Sequence, residues 1–208
     1  MDRETFLNTC QTGDLLLYST TNTWYSRLIE YFSRSKFSHI AIILRDPTYI
    51  NENLKGLYIL ESGAEPNPSP EDGKRKYGVQ ITKLEDVLDQ YMASTGKGQL
   101  YYRKLDCDRT GDFTNKIKKI HDMTYDKPYD FILTDWIKAE FDIEIGDEQR
   151  KNTFWCSALV SFAYIQLGFL GKTVPWTIIS PKEYSYYEDS ETLKFQNCSL
   201  IPEIKLAI

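Results

Sequence analysis

The chain has 208 residues, of which 41% are hydrophobic and 26% charged, and its formal net charge is −5. That length can bury a substantial core, and we expect a single domain over residues 1–208. A pI near 5.2 gives no basic surface for nucleic acid, and no run of about 18 apolar residues predicts a transmembrane helix.

The first half of the chain predicts strands with one helix among them. Apolar and β-branched runs indicate strands over 15–18, 38–44, 57–60 and 79–81. The run at 38–44 is apolar almost throughout, which is typical of a strand buried on both faces. Apolar residues at spacings of three and four predict a helix over 24–32. Three prolines and two glycines predict a surface loop inserted at 64–78.

The second half is richer in helix. The same spacing predicts helices over 84–91, 113–123, 131–141 and 156–167, and Gly168 is a plausible cap for the last of them. Alternation predicts a strand over 99–105, and 193–204 is expected to end in another. The sequence therefore predicts an α+β fold in which helices pack on a mainly antiparallel sheet.

The four cysteines, at positions 10, 107, 156 and 198, are widely scattered. No Cys-x-x-Cys pair is present, so the common zinc and redox spacings are missing, and we expect no metal and no cofactor. The first residues have no apolar stretch of the signal-peptide type, which predicts an intracellular, cytoplasmic protein without disulfides. Three of the thiols are expected to be ordinary core or surface residues.

Cys156 differs because it lies where a charged segment ends and an apolar helical pattern begins. The unpaired N–H groups at a helix N-terminus favour a thiolate, which can bring the pKa of a cysteine well below its free value of about 8.5. The thiolate is the nucleophilic form. The position alone still fits a second interpretation, a small apolar residue in the core.

Two further polar residues stand at strand ends. His39 begins the apolar strand, and Glu61 is predicted to end the neighbouring one before Ser62 and Gly63. If the helix crosses the sheet, His39 could take the proton of Cys156 and Glu61 could orient the imidazole. Each residue also fits a structural role by itself. His121 competes for the role of base, although its Lys-rich helix predicts a surface position.

Five motifs in this order resemble the circularly permuted branch of the NlpC-type papain-like cysteine hydrolases. That branch includes the YiiX-like proteins and, more distantly, lecithin:retinol acyltransferase and its relatives. His precedes Cys in this chain, as it does in the permuted enzymes. The motifs are Gly13-Asp14-Leu15-Leu16-Leu17, Phe37-Ser38-His39-Ile40-Ala41-Ile42, Leu60-Glu61-Ser62, Lys127-Pro128-Tyr129-Asp130 and Phe154-Trp155-Cys156-Ser157-Ala158-Leu159-Val160.

The resemblance implies a papain-like core and a role for each matched residue. Cys156 would be the nucleophile, His39 the general base and then acid, and Glu61 the group that orients His39. The backbone N–H of Cys156 would stabilise an oxyanion. The side chains of Tyr129, Ser157 and Ser38 are further candidates for oxyanion or substrate contacts.

The resemblance further implies hydrolysis or transfer of an acyl group through a thioester, from an amide or ester in a small molecule, lipid or peptide. The many aromatic residues near the site motifs favour an apolar acyl group. A catalytically silent lipid- or peptide-binding module of the same fold is the alternative, and a structural or virion-associated protein is a third hypothesis. Related proteins occur in bacteria and large DNA viruses, so host cytoplasm or virion is the expected location if the protein is viral. The sequence is compatible with contact at a membrane surface.

Overall fold

The computed structural model describes residues 1–19, 35–64, 67–93, 98–125, 155–189 and 192–207. The predicted helices over 24–32 and 131–141 lie outside these ranges. The described helices are α1 (Arg3–Thr9), α2 (Leu84–Ala93), α3 (Phe113–Thr124), α4 (Trp155–Leu167) and a 3-10 helix (Pro181–Tyr184). The described strands are β1 (Leu15–Ser19), β2 (His39–Arg45), β3 (Leu57–Ala64), β4 (Tyr77–Lys83), β5 (Gln99–Arg103), β6 (Leu105–Cys107), β7 (Cys198–Leu200) and β8 (Ile204–Lys205).

Six of the strands form one antiparallel sheet in the order β4-β3-β2-β1-β5-β8, and β6 pairs with β7 in a separate antiparallel ribbon. Strands β1 to β4 lie side by side in the same order as in the sequence, and β5 lies on the other side of β1. The predicted α+β class with a mainly antiparallel sheet is confirmed.

Helices cover both faces of this sheet. On one face, α4 packs against β2 and β3, with α3 beside it. On the other face, α2 and the Phe6 side chain of α1 cover the sheet. Alternate residues of β2 therefore belong to two different cores, Ile40 and Ile42 to one and Ala41 and Ile43 to the other. This double burial explains why the strand is apolar along its length, and the prediction of burial on both faces is confirmed.

Two local predictions need correction. Glu61 was expected at a strand end, but β3 continues to Ala64 because Ser62 and Gly63 pair with Val79 and Gly78 of β4. The Ser-Gly turn signal yields to cross-strand pairing. The predicted strand over 99–105 is divided into β5 and β6. Helix α1 was not predicted, since it has seven residues of which only Phe6 is buried.

Candidate active site

Cys156 is the second residue of α4, as the sequence predicted. The helix is apolar on all sides, which is typical of a helix inside the core, and its two serines are bonded to the segment that follows it. Ser157 Oγ donates to the carbonyl of Ile179 (2.6 Å), and the hydroxyls of Ser161 and Tyr184 are 2.9 Å apart. These bonds fix the N-terminal half of α4. Cys156 itself is 6% exposed.

His39 occupies the first position of β2, and its imidazole contacts two residues on the neighbouring strands. On β1, the Tyr18 ring meets it edge-on with centroids 4.8 Å apart. On β3, Glu61 Oε2 lies 2.9 Å from His39 Nε2. Because a carboxylate only accepts hydrogen bonds, Nε2 carries the proton in this pair and Nδ1 is the nitrogen left for another partner.

Glu61 is almost fully enclosed, with 1% of its surface exposed. A buried carboxylate requires hydrogen-bond partners, and both oxygens of Glu61 have one. His39 binds Oε2, and the Thr82 hydroxyl on β4 donates to Oε1 over 2.7 Å. Glu61 is therefore not a solvated residue at the surface of the sheet. Burial and these two bonds hold the carboxylate in one orientation toward His39.

The Cys156 thiol lies beside the His39 imidazole, close enough for hydrogen bonding and opposite charges to shift the pKa of both groups. The backbone near His39 is open to the helix because β2 pairs with β3 over 42–45, beyond the start of the strand. The N–H of Ile40 can therefore point at the sulfur of Cys156, as does the N–H of Ser157. The structure thus brings Cys156, His39 and Glu61 into one row across α4, β2 and β3.

The contact between Cys156 and His39 shifts the pKa values of these two residues in opposite directions. Burial by itself raises the pKa of the Cys156 thiol, but the adjoining His39 and the two backbone donors together bring it below the ordinary 9.0. Burial by itself lowers the pKa of His39, but the Cys156 and Glu61 charges on its two sides raise it well above 6.5. Both directions favour a thiolate beside an imidazolium, which is the activated form of a cysteine nucleophile.

The other candidate residues are placed less directly. Ser157 donates its hydroxyl to Ile179, and the Ser38 hydroxyl donates to the Tyr18 carbonyl over 3.3 Å, so both side chains are engaged with backbone. Tyr129 lies outside the described residues. The N–H of Cys156 belongs to the first turn of α4, where N–H groups have no partner within a helix, so the predicted oxyanion donor stays a prediction.

His121 is not a surface residue, which corrects the prediction from its Lys-rich helix. It is 4% exposed and lies on the core side of α3. Its Nε2 is 3.0 Å from Glu71 Oε2, and its Nδ1 is 3.3 Å from Asp122 Oδ1. The helical periodicity of α3 explains the burial of His121, because Ile117 and Thr124 on the same face are also buried. Both ring nitrogens of His121 face carboxylates, whereas His39 has the Glu61 carboxylate on one side and the Cys156 thiol on the other.

Two residues beside the row were missed by sequence analysis. Thr82 binds Glu61, and Gln80 stands directly opposite Glu61 in the β3–β4 register. Both lie on the face of β4 that carries polar residues at every second position, in a strand whose other face is apolar. That alternation could have indicated them, since polar residues within a buried strand need partners.

Two features are absent from the described residues. No group of three or more His, Cys, Asp and Glu side chains within them is arranged to hold a metal ion. None of the helices in the described ranges combines the length and apolarity needed to cross a membrane.

Comparisons with known proteins give a remote structural similarity. No family model matches the chain, and no curated protein matches it in sequence. Among solved structures, it is similar to the crystal structure of metalloprotein yiiX from Escherichia coli O157:H7, DUF1105, with 16% identity, coverage of 93% of this chain and 97% of that chain, and a TM-score of 0.44. This agrees in part with the predicted YiiX-like resemblance, while the permuted NlpC-type order stays a prediction. A similarity of this degree transfers no residue role.

Proposed function

We propose that the protein is a cysteine hydrolase or acyltransferase that cleaves an amide or ester bond through a thioester. The observation that carries the proposal is the position of His39, which lies beside the Cys156 thiol and lowers its pKa on one side and is hydrogen-bonded to the buried Glu61 carboxylate on the other. A nucleophile, a base within hydrogen-bond reach and a third group that orients the base are the parts such chemistry requires.

In the first half of the reaction, the Cys156 thiolate attacks the acyl carbonyl and a C–S bond forms. Negative charge develops on the carbonyl oxygen, and we expect the N–H of Cys156, in the first turn of α4, to stabilise it. The bond between the carbonyl carbon and the leaving group then breaks, and His39 gives its proton to the departing amine or alcohol. Throughout, Glu61 keeps the imidazole in position and stabilises its positive charge.

In the second half, His39 accepts a proton from the incoming nucleophile. Water releases a free acid and makes the protein a hydrolase, whereas an alcohol or amine carries the acyl group away and makes it a transferase. Attack breaks the thioester and returns the Cys156 thiolate beside the His39 imidazolium.

The first test is selective alkylation of the four thiols by iodoacetamide near neutral pH. Cys156 should react about tenfold or more faster than the other three, because its pKa is lowered while burial raises the pKa of Cys10 to about 11 and that of Cys198 to about 12. Burial raises the pKa of Cys107 as well. Equal and slow alkylation at all four positions would contradict the proposal.

The substrate class requires a second experiment, a screen of acyl peptides, phospholipids and acyl esters with Cys156→Ser as the blank. A hydrolase yields the free acid, and a transferase yields a new ester or amide only when an acceptor is added. If Cys156 is alkylated selectively but the protein binds these ligands without turnover, the protein is the silent binding module instead.

A further inference from the structure

Strands β6 and β7 form a short ribbon beside the main sheet, and a cysteine lies at the same end of each. In its register Leu105 pairs with Leu200, Asp106 with Ser199, and Cys107 with Cys198. Leu105 and Leu200 belong to the core, and both cysteines pack against that core, partly exposed. The two thiols thus leave the ribbon on the same face. Both are free in this structure.

The hydrogen-bond pattern shows what kind of cross-strand pair this is. The N–H of Ile201 donates to the carbonyl of Lys104 over 2.9 Å, one residue beyond the Leu105–Leu200 pair. In an antiparallel ladder, hydrogen-bonded and non-hydrogen-bonded pairs alternate. Counting from Lys104, Cys107 and Cys198 form a non-hydrogen-bonded pair. The Cα atoms of such pairs are about 4.5 Å apart and their side chains are closest together.

We propose that Cys107 and Cys198 are a site of oxidation, at which a disulfide joins β6 to β7. The Cα separation expected of a non-hydrogen-bonded pair lies within the range of about 4.4–6.8 Å that a disulfide spans without backbone movement. This proposal departs from the expectation of a protein without disulfides, which the sequence supported because the two cysteines are distant in the chain and only the fold makes them neighbours.

The chemistry is a thiol–disulfide exchange with a small-molecule disulfide as oxidant. One cysteine attacks the oxidant, forms a mixed disulfide and expels one thiol. The second cysteine then attacks the mixed disulfide, the Sγ–Sγ bond forms, and a second thiol leaves. The protein loses two protons and two electrons, and the oxidant becomes two thiols.

The surroundings of the pair affect the rate of this exchange and its reversal. Burial raises the pKa of both thiols, and the neighbouring Cys107 contributes to raising that of Cys198 to about 12. Little thiolate is therefore present near neutral pH, and oxidation is slow there. The same lack of thiolate stabilisation disfavours the reduced form, so the disulfide resists reduction once formed.

The bond fastens the C-terminal part of the chain to β6, the strand that follows β5 of the main sheet in sequence. Beyond β7, the buried Glu203 carboxylate accepts a hydrogen bond from the N–H of Tyr186 (2.8 Å) and another from the Ser185 hydroxyl. Both residues follow directly on the 3-10 helix whose Tyr184 is bonded to α4. A link at Cys198 closes a loop that contains α3 and α4, which limits the unfolded chain and stabilises the folded one.

The experiment exposes the full chain to oxidised glutathione, both as wild type and as Cys156→Ser, in which the thiol of the proposed active site is absent. We expect Cys156→Ser to lose two hydrogens in mass without retaining glutathione, and the wild type to lose the same two hydrogens and to retain glutathione only on its reactive Cys156. In both proteins a peptide joining Cys107 to Cys198 should appear under non-reducing digestion. The rate should rise about tenfold between pH 7 and pH 8, as the thiolate fraction does. The unfolding temperature of the oxidised protein should be about 10 °C higher.

Matched variants make the result specific. Cys107→Ser and Cys198→Ser should each abolish the link and the thermal shift, and Cys10→Ser should preserve both. If a serine variant does not fold, Cys107→Ala or Cys198→Ala takes its place. In the wild type or in Cys156→Ser, glutathione retained on Cys107 or Cys198, a link between other cysteines or between two chains, or Cys107 and Cys198 thiols that stay free would each overturn the proposal. Since the link is expected in Cys156→Ser, its failure is distinguishable from inactivity of Cys156.

Discussion

The protein contains two histidine–glutamate pairs of nearly equal geometry. His39 lies 2.9 Å from Glu61, and His121 lies 3.0 Å from Glu71. They differ in the group on the other ring nitrogen, which is the Cys156 thiol for His39 and the Asp122 carboxylate for His121. They also differ in access, because the His39 side chain is 23% exposed and that of His121 only 5%.

This difference shows that a histidine bonded to a glutamate is not by itself a catalytic feature. His121 connects α3 to Glu71 in the segment between β3 and β4, and its ring packs on Tyr125 with centroids 4.5 Å apart. Both of its nitrogens are engaged with carboxylates, so it has no nucleophile to activate. His39 has a thiol on one side and an orienting carboxylate on the other, which is the arrangement that nucleophilic catalysis uses.

The largest expected effect separates the two histidines by substitution. His39→Ala removes the group that lowers the pKa of Cys156, so alkylation of Cys156 should require a pH at least about one unit higher, and turnover of an identified substrate should fall about 10²–10⁴-fold. The measurement is the rate of iodoacetamide labelling against pH, with peptide mapping.

His121→Ala is the matched control, and it should leave the Cys156 profile where it is in the wild type. If His121→Ala shifts the profile and His39→Ala does not, the assignment of the base is wrong. The wild-type profile should have its midpoint below pH 9.0, the ordinary pKa of a thiol, because that of Cys156 is lowered.

The second prediction compares the two glutamates. Glu61→Gln keeps a hydrogen-bond partner for His39 but removes a buried negative charge, so the pKa of His39 should fall by about one unit and turnover by about tenfold or more. NMR titration of the His39 ring measures the first effect. Glu71→Gln should change neither quantity. A Glu61→Gln protein with an unaltered His39 titration would show that Cys156 alone sustains the charged imidazole.

The sequence predicted the secondary-structure positions of two residues of the site. Cys156 at a helix start and His39 at the start of a buried strand are both where the patterns indicated, because periodicity reports burial and helix boundaries directly. The mutual contact of the two residues was not derivable from spacing. It depends on how α4 crosses β2, and that is decided by packing of the whole sheet.

The errors have a common physical cause. Glu61 was placed at a strand end because Ser62 and Gly63 are typical turn residues, yet pairing with β4 carries the strand through them. His121 was predicted at the surface because of its lysine neighbours, yet its own helical position faces the core. In both cases tertiary contacts override a local signal. The Cys107–Cys198 pair also depends on tertiary structure, since only the β6–β7 register brings the two residues opposite each other.

The third prediction concerns stability. His121→Ala removes a buried ring together with its bonds to Glu71 and Asp122, and leaves Glu71, whose side chain is 15% exposed, without that partner. The free energy of unfolding should fall by about 2 kcal/mol, as measured by urea denaturation. Lys118→Ala, which removes an exposed i,i+4 ion pair with Asp122 on the same helix, should cost less than about 0.5 kcal/mol. Equal losses for the two variants would mean that His121 contributes no more than a surface charge.

The smallest effect is expected at Gln80, which faces Glu61 across the β3–β4 register. Gln80 is fully buried, and neither its Nε2 nor its Oε1 has a hydrogen-bond partner among the described residues. Such an amide carries a desolvation cost that an apolar side chain of similar shape avoids. Gln80→Met should therefore raise the free energy of unfolding by about 1 kcal/mol and leave Cys156 labelling unchanged.

Gln80→Glu tests the same position in the opposite direction. It places a second carboxylate beside Glu61 in a buried strand and should destabilise the protein by about 3 kcal/mol or more, or force one carboxyl to stay protonated. If Gln80→Met instead destabilises the protein and slows Cys156 labelling, the amide contributes to holding Glu61, and the row from Cys156 through His39 extends one strand further, to β4. His121 would still differ from His39, since its own carboxylate partner Glu71 lies in the segment outside the sheet.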